Sequence, residues 1–289
     1  MLLSDFLQRG RSALDPLYPE AEARGLLDIL CESFLGVRSY TAIIEPGYGI
    51  PPSVLPALQG ALERLSDGEP VQYILGKASF CGREFRVGPS VLIPRPETEQ
   101  LCSEAEHALS GLGAPRVLDL CTGSGNIAWT LALDLPGAQV TGVDLSEAAL
   151  ETARGQSFPV EPPAVAPVFL QADLLQDPPA ELRGKRFDAV LSNPPYVCES
   201  EKALMRRNVL AFEPASALFV PDDDPMLFYR AVACWARELL KPGGLVMAEI
   251  NESLGLSVKA VFADMGFENV LIVKDLFGKD RFVRCWNSQ

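Results

Sequence analysis

Asn193-Pro194-Pro195-Tyr196 stands at the carboxyl end of a strand-like run, Phe187-Asp188-Ala189-Val190-Leu191-Ser192. Two prolines fix the backbone and remove two N–H donors, leaving local carbonyls as stiff acceptors beside the Asn193 amide oxygen. Such a site suits a planar nitrogen that carries hydrogens and attacks an electrophilic methyl group. Fixed acceptors hold its hydrogens while its π-face turns to the methyl. Carboxamide and exocyclic amino nitrogens have delocalised lone pairs, so alignment and dipoles outweigh general base strength here. A flat ring such as Tyr196 can pack against the substrate plane. The bland alternative, a proline-rich turn capped by a core tyrosine, is weakened by the second motif, which falls on the same sheet edge.

That second motif is Asp119-Leu120-Cys121-Thr122-Gly123-Ser124-Gly125-Asn126-Ile127-Ala128, between a strand pattern and a helix pattern. Glycines in this context let the backbone approach a nucleotide-sized ligand. Asp144 closes the next strand, where a carboxylate can accept both ribose hydroxyl hydrogens. Asp173 follows the Val168-Phe169-Leu170 strand and stands where an adenine amino group could be met. The pattern Gly123-x-Gly125-x-x-Ala128 also satisfies the dinucleotide fingerprint, so from these residues alone a nicotinamide-dependent dehydrogenase stays open. Nothing downstream supplies its acid–base pair.

The elements around these motifs read as three pieces. Over residues 1–69 apolar positions recur at helical spacing, as in Leu26, Leu27, Leu30 and Phe34, which predicts a small helical domain. Residues 70–97, broken by Gly76, Gly82, Gly88, Pro89 and Pro94, read as a β-hairpin linker with β-prone pieces at Phe85-Arg86-Val87 and Val91-Leu92-Ile93. Residues 98–289 alternate helix and strand, the pattern of an α/β domain with a mostly parallel sheet covered on both faces. A helix is predicted over Leu227 to Leu240, stopped by Pro242-Gly243-Gly244, then a strand over Leu245 to Ile250. Asn269 to Val273 and Phe282 to Trp286 predict a terminal antiparallel hairpin, and the proline-rich stretch from Phe158 to Pro167 a loop.

Composition narrows the function classes. The chain has 289 residues, 48% hydrophobic and 22% charged, ordinary globular usage. Its 25 Lys+Arg against 38 Asp+Glu give a net charge of −13, the wrong sign for binding nucleic acid through phosphate contacts. A single histidine, His107, rules out a histidine-rich metal site, and seven cysteines without C-x-x-C spacing suggest reduced thiols. The Asp222-Asp223-Asp224 run lacks calcium-loop spacing and reads as a solvated turn. No metal is expected. The start lacks a basic region ahead of its apolar residues, and no apolar run reaches membrane-spanning length, so a cytoplasmic protein that binds no membrane is expected.

Taken together, the motifs resemble the class I S-adenosylmethionine methyltransferases and, within them, the release factor glutamine methyltransferases (HemK/PrmC family). The resemblance spans nearly the whole chain: Glu69-Pro70-Val71-Gln72-Tyr73-Ile74-Leu75-Gly76, Phe80, Phe85, Leu92-Ile93-Pro94-Arg95-Pro96-Glu97-Thr98-Glu99, Asn193 to Tyr196, and Phe212-Glu213-Pro214 with Ala217-Leu218. It implies a Rossmann-like domain behind a helical domain that docks the protein substrate. The implied activity is methylation, at N5, of the glutamine in the Gly-Gly-Gln motif of class I peptide chain release factors. S-adenosyl-L-methionine is the implied donor and S-adenosyl-L-homocysteine the product. By matching positions, the resemblance puts Cys121, Thr122, Gly123, Ser124, Gly125, Asp144, Leu145, Asp173, Leu174 and Asn193 around the cofactor. Asn193 and Pro194 would be catalytic and hold the glutamine amide, with Pro195 and Tyr196 shaping its slot. Arg95 and Glu97 would brace the mouth of the catalytic domain or form plain salt bridges.

Three positions depart from the family pattern: Cys121 stands where glycine is usual, Leu174 where an aromatic is frequent, and Asn251 where glycine is common. A monomer is expected. Asn-Pro-Pro-Tyr by itself also fits a DNA adenine-N6 methyltransferase, and a non-catalytic S-adenosylmethionine-binding partner of release factors is a further alternative. The acidity and the helical domain count against DNA as the substrate.

Overall fold

The computed structural model describes residues 1–288, which form two compact units: Met1–Gly76 with Arg206–Phe212, and Lys77–Met205 with the remainder from Glu213. In the first unit, α1 (Leu3–Leu14) buries Leu3, Phe6, Leu7, Gly10 and Leu14, the spacing of one helical stripe. Gly10 lets α1 pack closely on α2 (Glu20–Leu35): a Cβ there would come within 2.5 Å of a Leu27 methyl, which would have to shift. The short α3 (Thr41–Ile44), then α4 (Leu55–Ser66) and α5 (Val71–Leu75), complete the chain's opening run of helices. Leu30, Leu58, Leu65 and Val71 join the α1–α2 stripe in one apolar cluster.

The second unit begins with the hairpin β1 (Lys77–Phe80) and β2 (Arg83–Arg86). Its Phe80 and Phe85 are fully buried in the core shared with Leu101, Val117 and Leu131, so the hairpin is bound into this unit by its own apolar face. The expected β character of Val91-Leu92-Ile93 is corrected: these residues form no strand. The Ile93 N–H donates to the Glu213 carboxylate at 3.1 Å instead of to a neighbouring strand.

After α6 (Pro96–Leu109) come β3 (Arg116–Leu120), α7 (Asn126–Asp134), β4 (Gln139–Asp144), α8 (Glu147–Arg154), β5 (Val168–Gln171) and β6 (Phe187–Ser192). A two-residue β7 (Val197–Cys198) precedes α9 (Arg207–Phe212), which belongs to the first unit, and pairs with β8 (Phe219–Val220). Then follow α10 (Leu227–Leu239), β9 (Leu240–Glu249), α11 (Gly255–Asp264), β10 (Phe267–Lys274) and β11 (Asp280–Asn287). The seven-stranded sheet has the order β10-β11-β9-β6-β3-β4-β5, with β9, β6, β3, β4 and β5 parallel and the terminal hairpin antiparallel. Strand β9 begins earlier than the sequence suggests. Phe187 pairs with Leu240 and Ala189 with Leu245, so Pro242-Gly243-Gly244 is bulged out of the ladder rather than separating helix from strand.

One consequence of this order matters for function. Strand β3 has β4 on one side and β6 on the other, so the chain leaves the sheet in opposite directions on either side of β3. That switch point opens a crevice at the carboxyl ends of the strands. The register lines up Leu120 with Val143 and with Ser192, and Asp144 with Gln171. The segments following β3, β4, β5 and β6 therefore emerge at one edge.

Candidate active site

A cavity lies at that edge, about 1210 Å³ including its open mouth. On the β3–β4 side it is lined by Cys121, Thr122, Gly123 and Ser124, together with Asp144 and Leu145. Asp173 and Leu174 close the β5 side, and Asn193 and Pro195 the β6 side. Three other expected site residues, Gly125, Pro194 and Tyr196, do not line it.

The glycine turn is held by backbone. Cys121, Gly123 and Gly125 have φ of 59°, 55° and 77°, all left-handed. A Cβ on Gly123 would meet nothing within 4 Å, so glycine serves there through its backbone freedom and the open space it leaves. At Gly125 a Cβ would sit 3.0 to 3.1 Å from Ala153, Trp129 and Phe169, so this residue seats α7 against its neighbours rather than facing a ligand. The left-handed φ at Cys121 gives a physical reason for glycine as the usual residue at that position. Burial and the nearby acids push its thiol far above the usual range, which favours the protonated form.

Asp144 accepts the Gly123 N–H at 2.8 Å on one oxygen and the Ser146 N–H at 2.9 Å on the other. Burial raises its pKa against the pull of these N–H groups. Each oxygen keeps a lone pair for a ligand hydroxyl. Beneath the turn, fully buried Asp119 accepts the Thr122 hydroxyl at 2.6 Å and the Ala128 N–H at 3.2 Å on a single oxygen. Its other oxygen meets no donor among the described residues. Burial first, with Asp144 nearby adding to it, pushes its carboxyl up to about 7.

The β6 side is held by side chains. The Asn193 amide donates from Nδ2 to Thr98 Oγ1 at 3.2 Å, and the Thr98 hydroxyl donates to Glu249 Oε2 at 2.7 Å. The Tyr196 hydroxyl donates to Glu249 Oε1, also at 2.7 Å. The Tyr196 hydroxyl is thus turned to a buried carboxylate, and the residue is not among those that line the cavity. Thr98 and Glu249 are each 1% exposed. Burial raises the pKa of Glu249 against the two hydroxyls and Arg281, and burial with Glu249 raises that of Tyr196. Asn251 donates to the Tyr196 carbonyl at 3.3 Å and to Glu201 at 2.9 Å, fixing the backbone just past the two prolines.

The stretch from Ile93 to Glu99 turns out to be a clamp. Arg95 pairs with the buried Glu213 at 2.6 Å, Thr98 reaches Asn193 and Glu249, and Glu99 accepts the Cys81 N–H of the hairpin turn at 3.0 Å. Arg95 and Thr98 also line the cavity, as do Pro214 and Phe228. Sequence reasoning did not single out Thr98 or Glu249. The available signal was an acid ending an apolar strand, Met247-Ala248-Glu249, where a buried carboxylate must find donors.

These residues fit S-adenosylmethionine. Asp144 offers acceptor lone pairs beside an open glycine turn, Leu145 and Leu174 supply apolar surface, and Asn193 stands at the far end of the same cavity.

A family model described as a methyltransferase domain matches residues 117–210. The fold resembles the crystal structure of a methyltransferase from Pyrococcus furiosus, with a TM-score of 0.51 over 80% of this chain and 100% of that one, at 15% identity. The second unit has the fold of a class I methyltransferase. A further model, the PrmC N-terminal domain, matches residues 5–76. The release factor glutamine methyltransferase of Bacteroides thetaiotaomicron is 40% identical, covering 94% of this chain and 96% of its own length. That of Flavobacterium psychrophilum is 35% identical, over 98% of this chain and 99% of its own. The chain belongs to the release factor glutamine methyltransferase family.

Proposed function

We propose that this chain transfers a methyl group from S-adenosyl-L-methionine to the side-chain amide nitrogen of the glutamine in the Gly-Gly-Gln motif of class I peptide chain release factors. The observation that carries the reading is the Asn193 carboxamide. Its nitrogen is committed to Thr98, which leaves its oxygen as an acceptor in the cavity that also holds the glycine turn and Asp144.

When bound, the cofactor supplies an electrophilic methyl on a cationic sulfonium. Cys121 to Ser124, Asp144, Leu145, Asp173 and Leu174 surround it in this reading. The Asn193 oxygen accepts a hydrogen of the glutamine amide, and Pro195 borders the slot. Held in this way, the amide nitrogen presents its π-face, and alignment replaces the strong base that a delocalised nitrogen would otherwise need. Methyl transfer moves the positive charge from sulfur to the amide, whose nitrogen is then acidic enough to lose a proton to surrounding acceptors and water. The PrmC-type helical domain, residues 5–76, docks the release factor. The reading takes the enzyme as a cytoplasmic monomer that binds no nucleic acid itself, in keeping with its net charge of −13. Among the described residues no helix is long and apolar enough to cross a membrane.

The test is competition between acceptors. Incubated with methyl-labelled cofactor, the protein is expected to label an isolated class I release factor and leave duplex DNA unlabelled. Label in the DNA alone would overturn the reading.

A further inference from the structure

We propose that Thr98 and Glu249 are positioning residues that determine which end of the Asn193 carboxamide faces the cavity. This rests on the reading of Asn193 as the holder of the substrate amide. A carboxamide has nearly the same shape either way round, but one end accepts hydrogen bonds and the other donates them. Presented backwards, Asn193 would oppose its own NH2 to the NH2 of the substrate, donor against donor, so shape alone does not make the site competent.

Charge at the buried end of a hydrogen-bond chain supplies the missing direction. A carboxylate only accepts. Glu249 receives the hydroxyl hydrogens of Tyr196 and Thr98, one on each oxygen, both at 2.7 Å. The single hydroxyl hydrogen of Thr98 is therefore committed, and Thr98 can offer Asn193 only a lone pair. The Asn193 nitrogen takes it at 3.2 Å, and the carboxamide oxygen is left for the cavity.

The fold brings the three groups together from separate elements. Ser192 pairs with Ala248 in the β6–β9 ladder, which sets Asn193 beside Glu249 just beyond it. Thr98 lies in the first turn of α6, anchored by the Arg95–Glu213 pair just before it and by the Glu99 contact to the hairpin just after. Burial raises the pKa of Glu249, and the two hydroxyls and the Arg281 cation on β11 oppose that shift. A buried carboxylate that does not line the cavity thus fixes the polarity of an amide that does.

Three variants test this in the full chain. Thr98→Val keeps the side-chain shape and removes the hydroxyl. Glu249→Leu removes both accepting oxygens, which frees the Thr98 hydrogen to meet the Asn193 oxygen and turns the amide round. Both are expected to lower kcat for release-factor methylation about a hundredfold. KM for the factor and cofactor affinity by calorimetry should stay within about threefold. Thr98→Ser, which retains the hydroxyl, is expected to keep kcat within about threefold of the wild type.

A substrate-free readout stands beside the kinetics. In ¹⁵N-labelled protein the Asn193 side-chain amide signal, identified by its loss in Asn193→Asp, should show one hydrogen protected from solvent exchange. In Thr98→Val both hydrogens should exchange freely. Wild-type kcat in the Val or Leu variant, a Ser variant as impaired as the Val variant, or an unchanged amide signal in Thr98→Val would each overturn the proposal. Should Thr98→Val fail to fold, Glu249→Leu carries the test, since it removes a buried charge rather than adding one. Should the wild-type enzyme leave the release factor unmethylated, the functional reading fails, while the amide signal still decides the positioning.

Discussion

The two sides of the cavity are built by different means. On the β3–β4 side, recognition comes from a stretch of chain that bends back on itself: Cys121 to Gly125 in a left-handed turn, with Asp144 tying two backbone N–H groups. On the β6 side, four side chains from distant parts of the sequence, Thr98, Asn193, Tyr196 and Glu249, hold one another through three hydrogen bonds. The backbone side depends on permitted φ and on two carboxylates, Asp144 and Asp119, that accept hydrogens from the turn. The side-chain side depends on each donor and acceptor being in place, because a buried polar group that loses its partner costs about 1–3 kcal/mol.

The largest effect should come from the side-chain half. Asn193→Ala removes the acceptor itself, and transfer to the release factor is expected to fall about a thousandfold. Calorimetry should show most of the cofactor affinity retained, because the glycine turn and Asp144 are untouched. Equal loss of both would mean that the two halves are not separable.

Asp119, under the turn, makes the backbone half sensitive to pH. Its pKa rises on folding from the usual carboxylate range to about 7, so between those limits the folded chain holds a proton that the unfolded chain has released. Its contribution to stability is fully present at acid pH and is lost as pH rises toward and through about 7, by up to about 4 kcal/mol. Denaturant unfolding across this window should show that slope in the wild type and its loss in Asp119→Asn. An identical slope in the variant would assign the titration elsewhere.

Asp144→Ala should do the reverse of Asn193→Ala. It removes a charged acceptor from the turn, and cofactor affinity should weaken about thirtyfold, with kcat at saturating cofactor far less affected. The smallest effect concerns Cys121. Its φ of 59° strains any residue with a Cβ. Cys121→Gly should therefore raise stability by about 0.5–1 kcal/mol after the extra freedom of glycine in the unfolded chain is counted, read as a shift of the denaturation midpoint.

The same contrast explains what could be read from the sequence. The glycine turn and the acid closing the next strand are local, separated by about one β–α–β unit, so spacing alone exposes them. The parallel sheet was legible too, because buried strands are short apolar runs between helical stretches. Asn193 was found through its prolines, which leave a local signature. Thr98 and Glu249 were not, because their roles arise only when the first turn of α6 and the end of β9 meet across 151 positions of chain. The ring of Tyr196 suggests a slot wall on chemical grounds, but the bond of its hydroxyl to Glu249 is a tertiary contact that no spacing announces. Val91 to Ile93 have the composition of a strand but form none: the Val91 N–H donates to the Gly88 carbonyl, and Glu213, 120 positions away from Ile93, takes the Ile93 N–H that a ladder would have used.

The most direct test of the central claim is mass spectrometry of a class I release factor after incubation with this protein and S-adenosyl-L-methionine, first intact and then as peptides. The account predicts a gain of one methyl group, placed by fragmentation on the side chain of the Gly-Gly-Gln glutamine. A folded factor that gains no methyl while the cofactor is demonstrably bound, or one that gains it at another residue, would contradict it.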